Sequence, residues 1–237
     1  MKRSHLTVTA AACLALAGCT DSISTTTASD QERSGDLVPV IRTLTDVDGP
    51  ITPGWYFLPV SGRADGPYVT SGPSPLRAIV RIPPGYTTDD GFMITSGDAE
   101  GNQDVATLAV AGQISRVDTE PCGGGMLIDP GPTVKDLADA LAPHATTAPR
   151  PFTVDGSDGF YLEVDPPDDP AKCPGGVDRL MNDPADKLPR TSHLWILNVE
   201  GHRVVVTVRT PGESTEGSDR MVKMAEDLMF VHQRAPH

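Results

Sequence analysis

From Leu194 to Arg209 the chain carries a pattern that few folds can accommodate. Leu194-Trp195-Ile196-Leu197-Asn198-Val199 is a run of strand-forming residues, Glu200-Gly201-His202 offers a turn, and Arg203-Val204-Val205-Val206-Thr207-Val208-Arg209 returns. Val204, Val206 and Val208 fall on one face, while Arg203, Thr207 and Arg209 share the other with Val205. Period-two alternation on both sides of a short polar turn predicts a half-buried antiparallel hairpin.

Other segments fall into line with it. A second hairpin is expected from Pro151 to Val154 and Phe160 to Val164, with a turn over Asp155-Gly156-Ser157-Asp158-Gly159. Further strands are expected at Trp55 to Val60, Leu76 to Ile82, Gly91 to Thr95 and Val105 to Val117. In the first of these, Trp55-Tyr56-Phe57 is expected to send its rings into the core. Two helices are expected. Thr133 caps the first, with Asp136 three residues on and Pro143 closing it. Its Val134, Leu137, Ala138 and Leu141 repeat at helical spacing, as do Met221, Met224, Ala225 and Leu228 in a second helix from about Thr215 to Leu228. Each helix has a charged opposite face, so each must lie on an apolar surface. The economical arrangement is an α+β domain, a largely antiparallel sheet covered by a few helices. Twenty-three Gly and 23 Pro in 237 residues imply many turns and short elements, and the folded part is expected to be one domain over residues 37–237.

The first residues read differently. Met1-Lys2-Arg3-Ser4-His5 is cationic, and Leu6 to Ala17 is an uncharged run of Leu, Val, Ala and Thr that also holds Cys13. That is the layout of a secretory signal, and it is shorter than the ~20 apolar residues of a membrane span. Leu16-Ala17-Gly18-Cys19 resembles the lipobox of bacterial lipoproteins. The resemblance implies cleavage after residue 18 and a diacylglyceryl group on the Cys19 thiol, holding the chain on the outer face of a cell membrane. One acyl chain anchors marginally at ~0.8 kcal/mol per buried CH₂, whereas two or three would make the attachment effectively permanent.

Residues 19–36 then read as a tether. Thr20 to Asp36 is rich in Ser, Thr and Asp, with Ile23 its only large apolar residue, and cannot bury enough surface to fold. Its r.m.s. reach is roughly 20–25 Å. Loss of residues 1–18 removes Lys2 and Arg3 and no acid, so the net charge of −13 becomes −15. That acidity argues against nucleic acid and against adhesion to anionic lipid through a basic patch. The partners expected are the membrane, through the anchor, and an envelope protein, wall component or small ligand.

Cys122 and Cys173 remain once Cys13 is cut away and Cys19 acylated. Outside the cell an even pair reads as a disulfide. The loop between them is about 50 residues, for which the chain-entropy estimate is ~4 kcal/mol. Neither has a second cysteine or a histidine close in sequence, as a zinc site would need.

Val117-Asp118-Thr119-Glu120-Pro121-Cys122, Phe152-Thr153-Val154-Asp155-Gly156, Gly159-Phe160-Tyr161-Leu162-Glu163-Val164 and the run Leu194 to Val206 together resemble a disulfide-containing domain of actinobacterial surface lipoproteins. The composition, poor in Lys and rich in Ala, Gly, Pro, Asp and Val, looks like that of a high-GC actinobacterium. The order of elements is also somewhat similar to the PsbP-like α/β/α sandwich of other such lipoproteins. These resemblances imply a fold and a cysteine pair and bring no activity with them.

Motifs that carry chemistry are weak. Gly212-Glu213-Ser214-Thr215-Glu216-Gly217 is one residue too long for a nucleophile elbow, and Ser214 reads more simply as part of a helix start. His144, His193, His202, His232 and His237 are scattered and read as solvated surface residues. Cys122-Gly123-Gly124-Gly125 lacks the Gly-Lys-Ser/Thr of a phosphate-binding loop. Asp46-Val47-Asp48-Gly49 and Asp165 with Asp168-Asp169 lack the alternating acids and closing Glu of a calcium loop. No catalytic, cofactor or metal residue is therefore assigned. Three classes of function remain. A non-enzymatic binding or sensing module leads; a hydrolase joining Ser214 to His193 or His202 predicts a Ser–His contact in a pocket; a structural wall protein predicts no pocket.

Overall fold

Short runs of strand formers, each closed by turn residues, build most of the structure. The computed structural model describes residues 40–60, 74–97, 105–112, 114, 116–118, 126–165, 190–211 and 216–232. In chain order its strands are β1 (Ile41–Thr43), β2 (Gly49–Pro50), β3 (Gly54–Pro59), β4 (Leu76–Ile82), β5 (Tyr86–Thr88), β6 (Met93–Ser96), β7 (Thr107–Gly112), β8 (Val117–Asp118) and β9 (Leu127–Ile128). Helix α1 (Val134–Leu141) follows, then β10 (Arg150–Val154), β11 (Ser157–Val164), β12 (Arg190–Val199), β13 (His202–Pro211), helix α2 (Glu216–Glu226) and β14 (Met229–His232). The leader, Cys19 and the tether, the Cys122 and Cys173 pair, Ser214 and His237 lie outside the described residues.

The fold is α+β. Among the described residues eight strands form one antiparallel sheet in the order β10-β11-β12-β13-β7-β6-β5-β2, and a smaller sheet runs β1-β3-β4-β14, with β1 parallel to β3. Strands β8 and β9 make a separate two-stranded piece. The expected single sheet is thus divided into two main sheets and this small pair. Both strand stretches on which the smaller sheet depends at its edges, β1 and β14, are only three and four residues long.

The hairpin predicted around residue 200 is the centre of the larger sheet. Its turn is tighter than expected: Val199 pairs with His202, leaving only Glu200 and Gly201 in the loop. Both have positive φ, 50° and 85°, as the twist-matched two-residue hairpin turn requires. Asn198 Oδ1 accepts from the Gly201 amide at 3.0 Å. The second hairpin uses the same device, with Val154 opposite Ser157 and positive φ at Asp155 and Gly156. Its five-residue turn contracts to two because Asp-Gly alone supplies the geometry, and Ser157 to Gly159 join the strand.

The half-buried reading of the central hairpin is corrected. Val204 to Thr210 are buried on both faces. Strand β13 lies between β12 and β7, and each face of the sheet is covered. On one face α2 and the smaller sheet meet it, so that Met221, Leu58 and Val80 pack in one cluster with Leu108, Val206 and Val208. On the other face α1 presents Leu137, Ala138 and Leu141 to Leu162, Ile196 and Val205. The expected long strand from Val105 to Val117 is also interrupted, ending at Gly112 before β8 begins. Of the three rings in β3, Tyr56 enters the core, while Trp55 and Phe57 alternate to the other face and are half-buried.

Helix α1 starts as expected. The Thr133 hydroxyl accepts from the Asp136 amide at 3.1 Å, and Asp136 Oδ2 accepts from the Thr133 amide at 2.9 Å, a reciprocal capping box. These bonds hold the Asp136 carboxyl below its ordinary range. The helix ends at Leu141, and Pro143 sits inside a following 3-10 turn, Ala142–His144. Thr133→Ala is expected to lower the unfolding free energy by about 1 kcal/mol, read as an earlier urea midpoint.

Candidate functional site

Alternation along β11, β12 and β13 places a set of polar side chains together at one end of three neighbouring strands. Glu163 stands directly opposite His193, Tyr161 opposite Trp195, and Thr191 opposite Thr210. Helix α2 crosses this end, and a cavity of about 490 Å³ opens between them. Tyr161, Glu163, His193 and Thr210 line it from the sheet, with Ser218 and Glu226 from the helix.

His193 connects the polar groups. Its Nδ1 lies 2.8 Å from the Tyr161 hydroxyl, and its Nε2 lies 3.3 Å from Thr210 Oγ1. The Tyr161 hydroxyl also donates to Glu163 Oε1, which is itself 3.8 Å from Nδ1. One arrangement of protons satisfies the set. The Tyr161 O–H donates to the carboxylate, so the phenol oxygen accepts from Nδ1–H; Nε2 then accepts from the Thr210 hydroxyl. The tautomer follows from the network. Alongside, Thr191 Oγ1 donates to Asp165 Oδ1 at 2.9 Å.

The rings are held from behind. Tyr161 lies 5.1 Å from Trp195 and 5.9 Å from Phe152 between centroids, and His193 stacks on Trp195 at 6.4 Å. The Arg150 guanidinium sits 4.2 Å over the Tyr161 ring. With its ring clamped, the Tyr161 hydroxyl can point only along the strand toward Glu163 and His193.

Electrostatics follow burial. Burial pushes the His193 imidazole below its ordinary range, against the opposing charges of Glu163 and Asp165. The Tyr161 hydroxyl is raised by burial first and then by its bond to Glu163. At neutral pH the site therefore holds a neutral imidazole and a protonated phenol. A histidine depressed in the folded state binds fewer protons there than in the unfolded chain, whose histidines titrate near ~6.5. Stability conferred by keeping His193 neutral is complete above that unfolded value and is lost as pH falls through it toward the folded one. Urea midpoints of wild type and His193→Gln across pH 5 to 7.5 check this. The variant is expected to show the shallower decline on acidification.

The reading of His193 as a solvated surface residue is thus corrected: its side chain is 16% exposed and hydrogen-bonded at both nitrogens. The other hydrolase candidate, His202, begins β13 and so lies six positions along the strand from Val208, the partner of His193. That is roughly 20 Å at ~3.4 Å per residue, and no single site can use both. His202 instead faces His232, ring to ring at 6.3 Å, and His232 pairs with Glu200. His144 closes the 3-10 turn after α1. Among the described residues no group of three or more His, Cys, Asp or Glu could hold a metal ion, Asp46 and Asp48 included. No described helix is long and apolar enough to cross a membrane.

Comparison with known proteins adds little to this picture. No protein-family profile matches the chain, and no curated protein matches it. Solved structures align with it weakly, two of them as follows. LpqN of Mycobacterium tuberculosis, described as involved in cell envelope biogenesis, aligns at 11% identity and a TM-score of 0.39 over 74% of this chain and 91% of its own. A protein of Bacteroides thetaiotaomicron VPI-5482 aligns at 9% identity and a TM-score of 0.34 over 66% of this chain. The alignment spans 45% of the Bacteroides chain, less than half its length. Likeness at this level carries no argument about function.

Proposed function

We propose that this chain is a cell-surface lipoprotein, attached to the outer face of a membrane through lipid on Cys19, whose domain acts by binding a small polar ligand. The observation that carries the binding reading is the cavity between α2 and the ends of β11, β12 and β13. Its volume of about 490 Å³ lies within the ~300–1,000 Å³ of small-molecule sites. Its polar groups stand on strands whose rings are packed, so their positions are fixed before any ligand arrives. A purely structural wall protein has no use for such a cavity. The hydrolase reading gains no Ser–His contact among the described residues. The hydroxyl that does meet His193 belongs to Thr210, which is 5% exposed and lies within a central strand.

The anchor and the staple are supported by sequence. Leu16-Ala17-Gly18-Cys19 supports lipidation, and the pair left after processing supports a Cys122–Cys173 disulfide. Both readings are tested on intact cells. Cys19→Ala is expected to abolish fatty-acid incorporation, and native protein is expected to show no alkylatable thiol; lipid label on the variant, or two reactive thiols, defeats the corresponding part. Binding is tested by amide shifts on purified mature protein titrated with small amines, polyols, carboxylates and phosphates. Shifts confined to Tyr161, Glu163, His193 and their neighbours on α2, weakened in Tyr161→Phe, are expected. If no probe moves these residues, the binding reading fails.

A further inference from the structure

The cavity offers a ligand almost nothing but lone pairs. Each hydroxyl on its sheet wall has already spent its single proton: Tyr161 on Glu163, Thr210 on His193, and Thr191 on Asp165. The imidazole has spent its own on Tyr161. What these groups turn toward the space is acceptor capacity.

Charge points the same way. The lining carries three carboxylates, those of Glu163, Asp219 and Glu226, against one ammonium, that of Lys223. Lys223 is paired along its own helix, 2.9 Å from Asp227 and 3.9 Å from Glu226. Those contacts raise its affinity for its proton, with the bond to Asp227 the larger cause. Pro211 and Val222 supply the apolar part of the wall.

We propose that the cavity takes a small aliphatic amine in its ammonium form, the cation bonded to Glu163 and Glu226 across the gap and its carbon chain lying on Pro211 and Val222. An ammonium brings three donors and no acceptor, which is the complement of this lining. An anion of the same size would face a net negative wall with no free donor from the sheet. A neutral diol could donate to the same carboxylates but would bring no positive charge to offset theirs. This inference rests on the binding reading and narrows it to one chemical class.

Three probes of equal length separate the possibilities: 1,4-diaminobutane, 1,4-butanediol and butanedioate, each titrated into the mature protein by calorimetry and amide shifts. The diamine is expected to bind at the cavity residues, at least about tenfold tighter than the diol, as charge-assisted hydrogen bonds imply. Butanedioate is expected not to bind. Glu226→Gln, a change on the solvent-facing helix that leaves the sheet network intact, is expected to weaken the diamine about tenfold and the diol by clearly less. The inference is overturned if the diol or the diacid binds as tightly as the diamine, or if Glu226→Gln and Glu163→Gln both leave diamine affinity unaltered. It is also overturned, with the binding reading intact, if only non-cationic members of the wider probe set shift the cavity residues. Silence at those residues with every probe sinks the binding reading itself.

Discussion

Trp195→Ala is expected to lower the unfolding free energy by about 3–5 kcal/mol, the range for removing a large aromatic from a packed core. Trp195 is fully buried at the middle of β12, with the rings of Phe152, Tyr161 and His193 around it. Its Nε1 has no hydrogen-bond partner among the described residues, so the loss is one of packing and of the cavity left behind. The same change removes the ring against which Tyr161 packs at a tilt and His193 stacks. Chemical denaturation gives the stability, and the midpoint is expected to fall with little change in the denaturant slope. A loss below about 1 kcal/mol, the scale of an ordinary peripheral substitution, is incompatible with the position described.

Gly159→Ala is expected to be nearly as severe, although alanine is normally no worse than glycine within a strand. A Cβ on Gly159 would lie 1.9 Å from the carbonyl oxygen of Ile196 and 2.9 Å from Leu197 Cα. Both are backbone atoms of β12, so no side chain can swing aside. The two strands would have to part at the pair Gly159 and Leu197, disturbing the ladder that carries Tyr161 and Glu163. The cost is put at about 3 kcal/mol, the upper end for overpacking. Equal or greater stability in the alanine variant would contradict the close approach.

Much of the frame was legible because its signals are local. The two hairpins, both helices and the strand Leu76–Ile82 follow from alternation, helical spacing and capping residues within a dozen positions of one another. Strands β1, β2, β5 and β14 were missed, being two to four residues long and held in place by their partners more than by their own composition. The covering of both faces of β13 was missed for a related reason: Thr207 and Arg209 look like a solvent face until the sheet is assembled around them.

The site was invisible for a third reason. Tyr161, His193 and Thr210 come from three strands, and nothing in the sequence sets their register. A partial signal was present. Thr191, His193, Trp195 and Leu197 alternate onto one face of β12, and the last two are core residues. Polar side chains continuing an inward-facing row are unusual enough to mark a cavity end. Glu163 continues the row of Tyr161 in the same way on β11.

The ends of the larger sheet have a consequence beyond the single molecule. Its outermost strands, β10 and β2, each contain a proline, Pro151 and Pro50, and both prolines are exposed. Proline offers no amide to a neighbouring strand, and β10 adds the exposed cation Arg150 beside it. Where many copies lie close together, the open rim of a β-sheet is the usual template for copying strands from one chain to the next. Among the described residues the larger sheet's rim is blunted on both sides, so crowding the molecules should not extend that sheet from one copy to the next.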